Sequence, residues 1–155
     1  MGYVTTPTAR KYIEAENLYE NEIQWVEHYN LQPEGAQSGL DATSTGIKYT
    51  GVTSVYVDPQ MVRHAKSVYL EFAIDTLASG AGVKCHLYDR DDAADIASSD
   101  EVTATTDRTR TSLAVATLEA AIGHELTVRW EVTTAAGTGT FTATAARLVI
   151  IKGVS

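Results

Sequence analysis

Apolar and polar residues alternate over much of this chain with a period of two, the mark of strands with one buried face. In residues 67–76, Val68, Leu70, Phe72 and Ile74 oppose Tyr69, Glu71 and Ala73. Residues 83–88 follow the turn Ala78-Ser79-Gly80-Ala81-Gly82, which predicts a hairpin between the two runs. Residues 125–133 alternate most regularly, with Leu126, Val128, Trp130 and Val132 inward and Thr127, Arg129 and Glu131 outward. Residues 140–152 close on the unbroken apolar run Leu148-Val149-Ile150-Ile151. Shorter strands are predicted at 47–50 and at 54–58 before Pro59, and weaker ones near 101–105 and 110–116. About eight strands joined by turns at intervals of roughly 10–15 residues predict a mostly β chain: a jelly-roll-like antiparallel β-sandwich.

The first residues read differently. Residues 1–9 are Thr-rich and broken by Pro7, as in an extended leader. Beyond them Tyr12, Ala15, Tyr19, Ile23 and Val26 recur at spacings of three and four, which predicts a helix over roughly residues 8–20. Residues 23–27 fit a short strand equally well. Residues 32–46 are small and polar, with three glycines and one proline, the composition of a linker. The expected organisation is an N-terminal arm over 1–31, a linker over 32–46 and a sandwich over 47–155. The arm concentrates Tyr12, Ile13, Tyr19, Ile23, Trp25, Val26 and Tyr29 on a stretch too short to bury them itself. Such aromatic-rich surfaces are enriched at protein interfaces, so these residues are the expected contact with a neighbouring subunit. The competing expectation is that the arm folds back on its own body.

Charge and composition narrow the functions. The formal net charge is −8, which repels phosphate backbones and anionic membrane surfaces; the sequence shows no basic patch beyond the pairs Arg10–Lys11 and Arg108/Arg110. Neither a nucleic acid nor a membrane is an expected partner. No apolar stretch approaches a membrane span, and the first residues lack a signal-peptide core, so synthesis in a host cytoplasm is expected. The single cysteine, Cys85, excludes a disulfide framework and shares a strand face with Val83 and Leu87, as a small buried hydrophobe would.

Little in the chain resembles catalytic machinery. His28, His64, His86 and His124 lie at no metal-ligand spacing, and no Gly-x-Ser-x-Gly or phosphate-cradling glycine loop occurs. The most chemical stretch is the acidic loop with Asp89, Asp91, Asp92 and Asp95, whose carboxylates can wrap a calcium ion. As an EF-hand it fails, because no glycine supplies the turn and Ala93 takes a ligand position. A solvated acidic turn is the expectation, with no cofactor and calcium as the alternative.

Residues 66–152 resemble the jelly-roll modules of phage head-decoration (cement) and virion fibre proteins, and the related galactose-binding-like modules. The residues that carry the likeness are Ser67-Val68-Tyr69-Leu70-Glu71-Phe72, Gly82-Val83-Lys84-Cys85-His86-Leu87-Tyr88-Asp89, Leu126-Thr127-Val128-Arg129-Trp130 and Ala145-Ala146-Arg147-Leu148-Val149-Ile150-Ile151. The resemblance implies a non-enzymatic structural protein at a virion surface. Its implied partners are further copies of itself, a trimer first, and a major capsid or other lattice protein. The alternative on the same fold is a carbohydrate-binding module or tail-associated adhesin.

Overall fold

The computed structural model describes residues 23–154, in which ten strands and two short helices follow one another. They are β1 (Ile23–Asn30), β2 (Gln37–Asp41), β3 (Gly46–Thr50), β4 (Val55–Tyr56), α1 (Pro59–Val62), β5 (Ala65–Leu77), β6 (Gly82–Asp89), β7 (Ala94–Ser98), β8 (Thr106–Leu113), α2 (Val115–Ala120), β9 (Glu125–Thr134) and β10 (Thr140–Val154). They form two antiparallel sheets. The first runs β1-β10-β5-β8, with β2 pairing the start of β10. The second runs β3-β9-β6-β7, with β4 pairing the start of β9. The architecture is the expected β-sandwich.

Period-two alternation builds the core. From the first sheet, β5 buries Val68, Leu70, Phe72 and Ile74, and β10 buries Phe141, Ala143, Ala146, Leu148 and Ile150. From the second, β6 buries Val83, Cys85 and Leu87, and β9 buries Leu126, Val128, Trp130 and Val132. Burying a large apolar side chain stabilises by about 1.5–3 kcal/mol, so these two pairs of strands carry most of the fold. Trp130 lies centrally, its ring edge-on to Phe72 at 5.5 Å and to Phe141 at 6.5 Å.

Four expectations are corrected. Residues 67–76 and 82–89 are consecutive but lie in opposite sheets, so the segment between them is an arch across the sandwich and not a hairpin turn. Both strands are apolar on one face only, and facing each other buries both faces at once; Gly80, at φ +85, turns the chain where a side chain would be strained. The second correction concerns the two weaker strands: that at 101–105 reduces to one isolated bridge between Val102 and Val83, and that at 110–116 is displaced to β8, followed by α2.

The third correction is the linker. Within 32–46 lies β2, and Gln32 and Ala42 are buried. Glu34 accepts hydrogen bonds from the Tyr49 hydroxyl, the Val52 N–H and the Thr53 hydroxyl, tying the segment to β3 and the loop beyond it. Small polar composition here marks turns within a sandwich, since the buried Gln32 amide is held by specific hydrogen bonds with Gly35, Ala143 and Trp130. The fourth correction is the arm boundary: residues 23–30 are a strand of the first sheet, the alternative the sequence left open. One side of β10 carries backbone N–H and C=O groups that β5 cannot reach, and β1 satisfies them along Arg147–Val154. The helix expected over 8–20 lies outside the described residues.

Candidate functional site

Of the sequence-predicted interface residues, β1 carries Ile23, Trp25, Val26 and Tyr29 at the rim of the sandwich. Tyr12, Ile13 and Tyr19 lie outside the described residues. Alternation along β1 separates the others: Ile23, Trp25 and Tyr29 share the side that faces the second sheet, and Val26 points away from it. Tyr29 packs on the core, whereas Trp25 is 38% and Val26 50% exposed.

Trp25, Glu27 and Tyr29 line one wall of a cleft of about 590 Å³ at one end of the sandwich. Tyr56 and residues of α1 and its C-terminal turn line the opposite wall. Asp58 caps α1, its Oδ1 accepting from the Gln60 and Met61 N–H groups, and Pro59 fills the first helical position where no donor is needed. His64 follows with φ +63, a left-handed conformation uncommon outside glycine, and its ring lies 6.3 Å from that of Trp25.

Glu27 organises the wall formed by β1. It accepts from the Trp25 indole N–H at 3.0 Å and from the Tyr29 hydroxyl at 2.6 Å, and pairs with buried Lys152 at 3.0 Å. Burial alone would raise the Glu27 pKa, but hydrogen bonds from Tyr29, Trp25 and Lys152 outweigh it and hold the carboxyl below its ordinary value. Burial and the adjacent Glu27 carboxylate push Tyr29 up to about 12. Lys152 also donates to the Gln60 carbonyl, so its buried ammonium has two oxygen partners. Glu27, Lys152 and Tyr56 are not among the residues the sequence singles out, and His64 enters there only as a histidine at no metal-ligand spacing; with residues 23–30 read as a strand, Glu27 joins the face of Trp25 and Tyr29.

The acidic loop gathers a subset of its expected ligands. Asp89, Asp91 and His124 each offer a ligand atom within 4.8 Å of the others. His124, 35 residues away in sequence, has no signal at the level of spacing. Asp92 is close, its Oδ2 3.8 Å from His124 Nδ1, but Asp95 turns away on β7 to pair with Arg129 at 3.0 Å. Three of the carboxylate oxygens are already engaged. Asp89 Oδ1 accepts from the N–H groups of Asp91 and Asp92, its Oδ2 contacts His124 Nδ1 at 2.7 Å, and Asp91 Oδ2 accepts from the Glu125 N–H. Burial would raise the Asp89 pKa; the His124 and backbone hydrogen bonds win and lower it. His124 is raised, chiefly by its hydrogen bond to Asp89. The arrangement braces the β6–β7 turn against the start of β9.

A third cluster lies on the outer face of the first sheet. Glu71 on β5 is buried, with Arg110 Nε at 2.6 Å, Arg147 Nε at 2.5 Å and Arg108 Nε at 3.8 Å. Burial would raise its pKa, and the Arg110 and Arg147 guanidiniums outweigh that and lower it. Folding thus brings Arg147 beside the Arg108/Arg110 pair visible in the sequence.

No protein-family model matches the chain, and no curated protein matches its sequence. Among solved structures, the chain is similar to one in a structure of infectious bursal disease virus, Gx strain, with a TM-score of 0.39 and 10% identity, over 83% of this chain and 32% of that one. A crystal structure of the viral particle of the same virus gives a TM-score of 0.38 and 13% identity, over 85% of this chain and 36% of that one. This chain spans about a third of the length of the chains it resembles. No helix among the described residues is long and apolar enough to cross a membrane.

Proposed function

We propose that the protein is a structural, non-enzymatic component of a virion, of the decoration or cement kind, that binds neighbouring subunits through β1 and the residues before it. The observation that carries this reading is the edge of the first sheet. β1 runs for 8 residues and, among the described residues, no strand pairs with its outer side. Such an edge is a template for another chain unless it is blunted by charge, brevity or a bulge. The opposite edge, β8, is blunted by Asp107, Arg108 and Arg110. β1 exposes Trp25 and Val26 instead, and its one carboxylate, Glu27, turns inward to Lys152. Residues 1–22, with Tyr12, Ile13 and Tyr19, precede β1 in the sequence. The proposed partners are further copies, with a trimer the first state to test, and a lattice protein.

The test is co-sedimentation with the particle that carries the protein, comparing the full chain with a Val26→Lys variant that charges the edge. Reduced binding with unchanged melting supports the reading. Binding at the wild-type level by the charged variant contradicts it.

The cleft favours a second reading, a glycan-binding adhesin. Exposed aromatic faces at Trp25 and Tyr56 beside fixed donors and acceptors suit a sugar ring. The chain has two tryptophans and Trp130 is buried, so a saturable change in fluorescence on adding galactose, lactose or N-acetylglucosamine, lost in Trp25→Phe, would support this reading. A flat titration with all three would count against it.

A further inference from the structure

The arginines on the outer face of the first sheet are engaged with Glu71 through Nε, and these are the contacts that hold the buried carboxylate. A guanidinium carries five N–H donors in a fixed fork, so each keeps further donors after one Nε contact. The side chains remain 65% exposed at Arg108, 37% at Arg110 and 36% at Arg147. Arg110 also lies 5.3 Å from the Tyr69 ring centroid, which gives the cluster an aromatic neighbour. Counting Glu71 and adjacent Asp107 against the three arginines leaves a positive spot on a chain whose formal net charge is −8. The surface suits a carboxylate-bearing segment with apolar residues interleaved.

The sequence contains such a segment. From Tyr12 to Glu22 the charged residues are Glu14, Glu16, Glu20 and Glu22, with no lysine or arginine, and Leu18 and Tyr19 stand between them. We propose that the outer face of the first sheet, at Arg108, Arg110 and Arg147, receives the stretch Glu14–Glu22 of a second copy of this chain. The proposal rests on the assembly reading above and names the surface the arm grips.

The register of β1 favours a second copy over the same one. Ile23 pairs with Val154, whereas Arg147 pairs with Asn30 at the far end of β1. At about 3.3 Å per residue, the arm enters the sheet roughly 23 Å from Arg147 along the strands, and β8 lies two strands further across. Nine residues span at most about 30 Å, so doubling back to Arg108 demands near-full extension. A neighbour's arm arrives under no such constraint.

The experiment uses two full-length variants: Arg108→Glu, which changes the arginine least engaged with Glu71, and a fourfold variant with Glu14, Glu16, Glu20 and Glu22 each changed to Lys. Circular dichroism and melting establish that both fold, and Arg108→Ala replaces the first if it does not. Sedimentation velocity should show each variant self-associating at least about tenfold more weakly than wild type, with wild-type association declining as salt rises. A mixture of the two variants has one intact arm and one intact face, and should form a mixed complex. Wild-type association by both variants overturns the proposal, while leaving the assembly reading intact if Val26→Lys still weakens binding. Lowered melting of both variants, with no recovery on mixing, places the contact within one chain and also overturns it. A wild-type chain that stays monomeric off the particle and binds it no less tightly with either variant defeats the proposal, and the assembly reading fails separately if Val26→Lys binds the particle normally.

Discussion

The indole N–H of Trp130 donates to Oε1 of Gln32 at 2.9 Å, across 98 residues of sequence. Gln32 is buried, and its amide donates in turn to the carbonyls of Gly35 and Ala143 at 2.9 Å each. One glutamine thus satisfies the core tryptophan, closes the turn before β2 and fastens that turn to β10. Gln32→Ala should cost about 1–3 kcal/mol, because it strands a buried indole N–H. Urea denaturation measures this. An unchanged midpoint would mean that residues 32–46 are the dispensable linker their composition suggests.

Trp130→Ala removes the ring that Phe72 and Phe141 pack against and should cost about 3–5 kcal/mol, a large part of the stability of a domain this size. Urea denaturation serves again. Wild-type stability would place Trp130 outside the core.

The His124–Asp89 pair makes stability depend on pH in a defined direction. His124 is raised in the folded state, so its contribution is present below its unfolded pKa of about 6.5 and is lost as pH rises through the folded value. Asp89 is lowered, so its contribution is present above about 3.9 and is lost as pH falls through the folded value. The pair therefore stabilises most between about pH 4 and 6.5. The melting-temperature difference between wild type and His124→Gln should be larger near pH 5.5 than near pH 8. A difference that does not vary with pH contradicts this account of the contact.

The hydrogen bonds that occupy Asp89 and Asp91 also set the expectation for calcium. A bound ion would stabilise the folded state by mass action, and EDTA would remove that stabilisation. Melting should be the same in EDTA and in millimolar calcium. A reversible shift of several degrees would make Asp89, Asp91 and His124 a metal site.

The alternating runs make the sandwich legible in the sequence, because a strand with one buried face writes its period there. Leu126, Val128, Trp130 and Val132 are all buried as that alternation requires. Which sheet each strand joins was not legible: β5 and β6 have the same pattern whether they pair or face each other. The composition of 32–46 misleads for a related reason, since turn residues look alike whether or not a buried Gln32 stands among them. Of the sites, Asp89 and Asp91 were legible as carboxylates close in sequence. His124, Arg147 and Lys152 were not, because each reaches its partner only through strand pairing.

The most direct test of the account is the mass of the assembled protein with and without residues 1–22. Residues 23–154 hold both sheets and the whole described core, so the shortened chain should melt within a few degrees of the full one. Sedimentation velocity at matched concentrations, alone and with the carrying particle, should show the full chain associated and the shortened chain monomeric and unbound. A shortened chain that stays folded and associates as fully as the intact one would contradict the central claim that this protein assembles through the arm leading into β1.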